Sequence, residues 1–132
     1  MERVMIVDSD LIQMNSLRSS LSGGYLVLTS NRGTKALDIF KIFQPAAIIL
    51  DPSTHGLDGK EFVKKIRSLP FRKNILILAL TRFTTIKTIE ESFKLGVDMI
   101  LSKPCTAERI KSKLAGHFGK PASPQPLELA GV

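Results

Sequence analysis

Five side chains in this sequence could do chemistry together: Asp8, Asp10, Asp51, Thr81 and Lys103. Each stands just past a short apolar run. Carboxylates drawn from two such run ends into one cleft repel each other, which raises their pKa unless a hard divalent cation sits among them. Magnesium is the expected ion, because it favours a few oxygen ligands together with waters and a bound phosphate. A lysine ammonium and a threonine hydroxyl reaching the same spot would complete a cradle for a small anion held on one carboxylate. That chemistry suits an acyl phosphate: the carboxylate is the nucleophile, the metal and the lysine neutralise the phosphoryl oxygens, and the hydroxyl donates a hydrogen bond to them. Taken singly, each residue has a plainer role. Asp8, Asp10 or Asp51 would cap a helix, Thr81 would cap or turn, and Lys103 before a proline would be a surface lysine. Only their joint spacing favours the chemistry.

The elements that must position these residues follow from apolar periodicity. Residues 3–7 form a first strand, and Leu11, Met14, Leu17 and Leu21 recur at helical spacing until Gly23-Gly24. Residues 25–29 read as a second strand, with Ala36, Ile39, Phe40 and Phe43 striping a helix that Gln44-Pro45 punctuates. A third strand over 46–50 runs straight into Asp51, and Phe62, Val63, Ile66 and Leu69 stripe the next helix. The most continuous apolar strand spans 75–80, after which Thr81 opens a loop and Ile86, Ile89 and Phe93 stripe a fourth helix ending near Gly96. A fifth strand over 98–101 meets Ser102-Lys103-Pro104, and Ile110, Leu114 and Phe118 mark the last helix. Five strand-then-helix units in strict alternation imply a parallel sheet covered on both faces, since parallel neighbours need crossovers. In such open sheets the functional groups gather outside the carboxyl ends of the strands, where all five candidates stand.

Composition bounds the class. A chain of 132 residues, 43% hydrophobic and 23% charged, suits one globular domain and excludes collagen-like, low-complexity and wholly disordered chains. The apolar runs fall far short of the roughly 18 residues that span a bilayer, and no basic-then-apolar leader opens the sequence, so a cytoplasmic location and no membrane partner are expected. Cys105 is the only cysteine, which excludes disulfide frameworks and thiolate-rich zinc sites. His55 and His117 lie far from any second histidine or cysteine at ligand spacing. Neither a phosphate-binding glycine loop nor a dinucleotide fingerprint is present. The formal charge of +7 attracts anionic partners without naming one. Lys60, Lys64 and Arg67 would share one helical face, which reads as solvated, because groove readers add aromatics or a recognisable motif. Residues 119–132, with Pro121, Pro124 and Pro126, read as a linker or frayed tail after a domain over 1–118.

Over about residues 2–118 the order and spacing resemble the receiver domain of two-component response regulators, related to the chemotaxis response regulator. The residues that carry the resemblance are Val4-Met5-Ile6-Val7-Asp8, Ile48-Ile49-Leu50-Asp51 with Leu57-Asp58-Gly59, Leu80-Thr81, Gly96-Val97-Asp98, and Ser102-Lys103-Pro104. The resemblance implies a doubly wound, flavodoxin-like three-layer sandwich whose five parallel strands run in the order 2-1-3-4-5, as right-handed crossovers also require. It implies that Asp51 is the phosphoacceptor, that Asp8 belongs to the magnesium pocket, that Ser53 offers the metal its backbone carbonyl, that Thr81 is the switch hydroxyl, and that Lys103 contacts the phosphoryl group. The implied partners are a histidine kinase or phosphotransfer protein, an output domain or downstream protein, and a second copy meeting the face of the fourth helix, fifth strand and fifth helix. The implied chemistry is that of a phosphoacceptor assisting its own phosphorylation and dephosphorylation, not of a metabolic enzyme.

Three positions depart from the family pattern. Ser9 stands where a second consecutive acid is usual, which should weaken magnesium binding. Ile100 replaces an aromatic often found in the fifth strand, and His55 stands where a proline is usual. Ser9 and Ile100 favour the alternative of a degenerate receiver acting as a phosphorylation-independent interaction module. A basic nucleic-acid-binding module is the remote alternative from another class.

Overall fold

The computed structural model describes residues 1–70, 74–82 and 84–120. Along the chain run β1 (Arg3–Val7), α1 (Leu11–Leu21), β2 (Leu26–Ser30), a single 3-10 turn (Gly33–Lys35), α2 (Ala36–Phe43), β3 (Ala47–Leu50), α3 (Gly59–Ser68), β4 (Leu76–Thr81), α4 (Ile86–Leu95), β5 (Met99–Ser102) and α5 (Ala107–Phe118). The strands form one sheet in the order β2-β1-β3-β4-β5, every adjacent pair parallel. This is the expected architecture.

Alternation of side chains along the strands divides the interior into two cores. Val4, Ile6, Ala47, Ile49, Leu76, Leu78 and Leu80 face α1 and α5, meeting Leu17, Leu21, Ile110 and Leu114. Met5, Val7, Ile48, Leu50, Ile77 and Ala79 face the other way, onto Phe40 of α2 and Phe62, Val63 and Ile66 of α3. Full burial of each such side chain is worth about 1.5–3 kcal/mol, so β1, β3 and β4 are held from both faces, whereas Leu26 and Leu28 of the edge strand β2 stay exposed. α4 is the exception: it buries no residue, and Ile86 and Phe93, expected to face the core, are exposed.

Several expected boundaries move by one residue. β2 begins at Leu26, because Tyr25 turns inward beneath the sheet against Phe118, ring centroids 6.2 Å apart. β3 begins at Ala47. Thr81 closes β4 rather than opening the loop, since it pairs with Ser102 of β5. β5 starts at Met99, and the Asp98 carboxylate accepts the Ile77 amide at 2.8 Å. The expected solvated basic face of α3 is also corrected. Lys60 and Lys64 are exposed, pairing with Glu91 and Glu61, but Arg67 folds back onto the Gly96 and Ile75 carbonyls and Asp98. A guanidinium presents donors in a rigid fork, which suits it to tie carbonyls from two segments together. Residues 121–132 of the expected proline-bearing linker lie outside the described residues.

Candidate functional site at the carboxyl edge of the sheet

Strand register brings the site together. β1 and β3 pair Val7 with Leu50, so the next residue of each, Asp8 and Asp51, stand side by side, and the Asp51 amide donates to the Val7 carbonyl at 2.9 Å. β4 and β5 pair Thr81 with Ser102, which carries Lys103 one step past the sheet, its amide bonded to the Thr81 carbonyl at 2.8 Å. The Lys103–Pro104 peptide bond is cis.

The Lys103 side chain is 3% exposed, and its ammonium lies 2.7 Å from Asp51 Oδ2 and 2.8 Å from Asp8 Oδ2. It also donates to Asp8 Oδ1 at 3.0 Å. Asp51 Oδ1 accepts both the amide and the hydroxyl of Ser53, at 2.8 and 2.7 Å, and Asp8 Oδ1 accepts the Asp10 amide at 2.9 Å. All four carboxylate oxygens are therefore hydrogen-bonded, as buried charge requires. Burial by itself would raise the Asp51 pKa, but the hydrogen bonds from Lys103 and Ser53 outweigh it and hold the carboxyl below its ordinary value. Burial would likewise lower Lys103, but Asp51 and Asp8 outweigh it and push the ammonium above its ordinary value. The cleft thus holds two carboxylates against one firmly charged ammonium.

The plainer roles divide among the candidates. Asp10 caps α1, accepting the Gln13 amide at 3.1 Å, and its other oxygen lies 3.6 Å from Arg82. Asp8 and Asp51 cap no helix and face Lys103 instead. Asp58 caps α3. Ser9, the departure from the acidic pattern, accepts the His55 amide on its hydroxyl at 2.7 Å and so ties the loop after β1 to the loop after β3. Among the described residues, no group of three or more His, Cys, Asp or Glu side chains is placed to hold a metal.

Thr54 escapes a reading of the sequence. Its hydroxyl is buried, donating to the Asp51 carbonyl at 2.6 Å with the Val7 carbonyl 3.3 Å away, and it fixes the backbone beneath the paired carboxylates. A single threonine inside a polar loop carries no periodic or spacing signal.

With this geometry in hand, comparisons with known proteins agree on one family. The family model for the response regulator receiver domain matches residues 4–115. The response regulator MprA of Mycobacterium avium (strain 104) is 33% identical over 113 residues, which make up 85% of this chain and 49% of that protein. The chain therefore spans about half the length of the curated relatives it matches. Among solved structures, the chemotaxis protein CheY4 of Vibrio cholerae superposes with a TM-score of 0.81 at 28% identity, covering 89% of this chain and 99% of that one. A CheY-like receiver domain protein from Methanospirillum hungatei JF-1 superposes at 0.80 with 20% identity, over 88% and 92% of the two chains, and shows the shared fold.

Proposed function

Because the chain belongs to the response regulator receiver domain family of two-component systems, we propose that it accepts a phosphoryl group from a histidine kinase or phosphotransfer protein on Asp51. The observation that carries this reading is the Lys103 ammonium lying between Asp51 and Asp8 at 2.7 and 2.8 Å, with none of the three side chains more than 10% exposed. An Asp51 oxygen attacks the phosphorus of a phosphohistidine. The O–P bond forms as the P–N bond breaks, and the electron pair stays on the imidazole nitrogen, which takes up a proton from solvent. Asp51 is ionised for this role because Lys103 and Ser53 hold its pKa down. Lys103 then turns its charge from the carboxylate to the phosphoryl oxygens, and Thr81, at the end of the adjacent strand, donates its hydroxyl to one of them.

Receiver domains generally bind magnesium in the acidic pocket, and the donors here are all hard oxygens. The carboxylates of Asp8 and Asp51 and the backbone carbonyl of Ser53 would hold the ion, with Ser9 contributing no charge. When bound, the ion supplies positive charge to the phosphoryl oxygens. The ion would share these carboxylate oxygens with the Lys103 ammonium, so the two cations compete for the same negative charge. The output is a change in what the α4-β5-α5 face binds, an output domain, a downstream protein or a second copy. Ile86 and Phe93 of α4 stand exposed. No described helix is long and apolar enough to cross a membrane.

The test is the intact mass of the full chain after incubation with acetyl phosphate, with magnesium and again with a chelator. A gain of one phosphoryl group that depends on magnesium and disappears in Asp51→Asn is the expected result. No gain in wild type under either condition would overturn it and leave the phosphorylation-independent interaction module, which the commitment of Ser9 to the His55 amide favours.

A further inference from the structure

We propose that the cavity beneath α4 is a binding site for an uncharged aromatic molecule of one ring or two fused rings. α4 differs from the other four helices in burying no residue, and its ends are fixed from within the segment. Thr85 and Thr88 form a reciprocal capping box, and Gly96 stops the helix in the left-handed region. Beneath it, between α3 and the β3-β4-β5 part of the sheet, lies a cavity of about 190 Å³. Its walls are mainly aliphatic, from Leu50, Val63, Ala79, Ile89, Leu95 and Ile100, with Thr81 and Thr84 also lining it, and it is partly open to solvent.

Size and chemistry narrow the occupant. An apolar cavity of about 150 Å³ in another protein stays dry and takes up benzene, so this one has room for a ring with a substituent or a second fused ring. Water against these walls has few protein hydrogen-bond partners, and an apolar ligand would replace it with dispersion contacts. The rim asks for no charge. Lys60 and Glu91 pair with each other across the α3–α4 edge at 3.4 Å, both well solvated. The Thr88 hydroxyl bonds within the capping box, and the Ser92 hydroxyl donates to the Thr88 carbonyl at 2.7 Å. An ionised ligand would give up hydration against the aliphatic walls with no buried charged partner to offset it. Because α4 is not anchored by buried side chains, it can adjust to an occupant without breaking a packed core.

The experiment titrates indole into the full, unphosphorylated chain and follows methyl resonances by carbon-13 NMR, with benzoate as the charged control. It is independent of whether Asp51 accepts a phosphoryl group. Saturable shifts at Val63, Ile89, Leu95 and Ile100, with a dissociation constant of about 1 mM or tighter and no saturable response to benzoate, are expected. Ile100→Phe, which fills the cavity, should abolish the indole response while keeping the far-ultraviolet dichroism of wild type. If that variant fails to fold, Ala79→Val reduces the same space and should weaken binding several-fold. Non-saturating shifts, shifts centred on Leu28 and Ile42 instead, equal binding of benzoate, or full affinity in a folded cavity-filled variant would each overturn the proposal.

Discussion

Two cations are drawn into this fold at opposite ends of its sheet, and their partners differ in kind. At the amino end Arg67, its side chain 21% exposed, gives Nε and Nη2 to the Gly96 carbonyl, Nη1 to the Ile75 carbonyl, and Nη2 also to Asp98. At the carboxyl end Lys103 directs its ammonium at two carboxylates. The first arrangement stitches backbone segments together, and any competitor would have to break the stitching. The second joins only side chains, so an incoming anion or cation can repartner them while the backbone stays in place. A buried cation aimed at carbonyls is part of the scaffold. One aimed at carboxylates from separate strands is available for chemistry.

Removing each cation separates these roles most strongly. Lys103→Met should abolish phosphoryl uptake from acetyl phosphate, whereas Arg67→Ala should retain it. Lys103→Met should also lose about 3 kcal/mol of stability at neutral pH, the cost of leaving buried carboxylates uncompensated. Arg67→Ala should lose about 2–3 kcal/mol through orphaned carbonyls and a lost charged hydrogen bond. Urea unfolding and intact mass read both properties, and uptake lost in Arg67→Ala but kept in Lys103→Met would break the comparison.

The pH dependence of stability sharpens it. Asp51 is held below its ordinary pKa, so its stabilising contribution is complete above the ordinary carboxylate range and is lost as the pH falls through the lowered value. Lys103 is held above its ordinary pKa, so its contribution is complete below the ordinary lysine value and is lost as the pH rises through the raised one. Urea midpoints measured across pH should therefore fall less steeply toward acid in Asp51→Asn than in wild type, and less steeply toward alkali in Lys103→Met. Parallel curves for wild type and both variants would contradict the assigned pairing.

A smaller effect is expected at Gly96, whose φ of +111° disfavours a side chain and whose added Cβ would stand 2.8 Å from Arg67 Cγ. Gly96→Ala should cost about 1–2 kcal/mol in urea unfolding without altering phosphoryl uptake. The smallest change concerns Ser9. Ser9→Asp should tighten magnesium several-fold by calorimetric titration, because it adds a charged oxygen and raises the repulsion that a cation relieves. The gain is limited, since the new carboxylate can also accept the His55 amide now bound by Ser9. Equal affinities would mean that Asp10 or an ordered water already supplies the missing ligand.

The scaffold of this comparison is legible in the sequence to different depths. Alternating apolar runs and helical stripes identify five strands and five helices, and the rule that groups gather at strand ends brings Asp8, Asp51 and Lys103 together. The one-residue shifts of β3, β4 and β5 escape that reading, because a strand's ends depend on its partner strand, and that of β2 escapes because Tyr25 packs on a distant helix. Arg67 escapes because periodicity assigns a helical face but not where a long side chain folds back. The exposed α4 shows the same limit: Ile86, Ile89 and Phe93 have helical spacing, yet spacing does not say whether a sheet face remains to be covered. Thr54 and the Ser9–His55 bond are loop contacts between distant segments and leave no pattern.

The central claim, that Asp51 is the group made available by Lys103, is tested most directly by locating the acceptor. Borohydride reduction of the acetyl phosphate-treated chain would convert an aspartyl phosphate to homoserine with release of phosphate, and peptide mass mapping would identify the residue. Homoserine at position 51 alone is the predicted result. Homoserine at position 8 or 10 with Asp51 intact, or a phosphoryl group retained on His55 or His117, would contradict it.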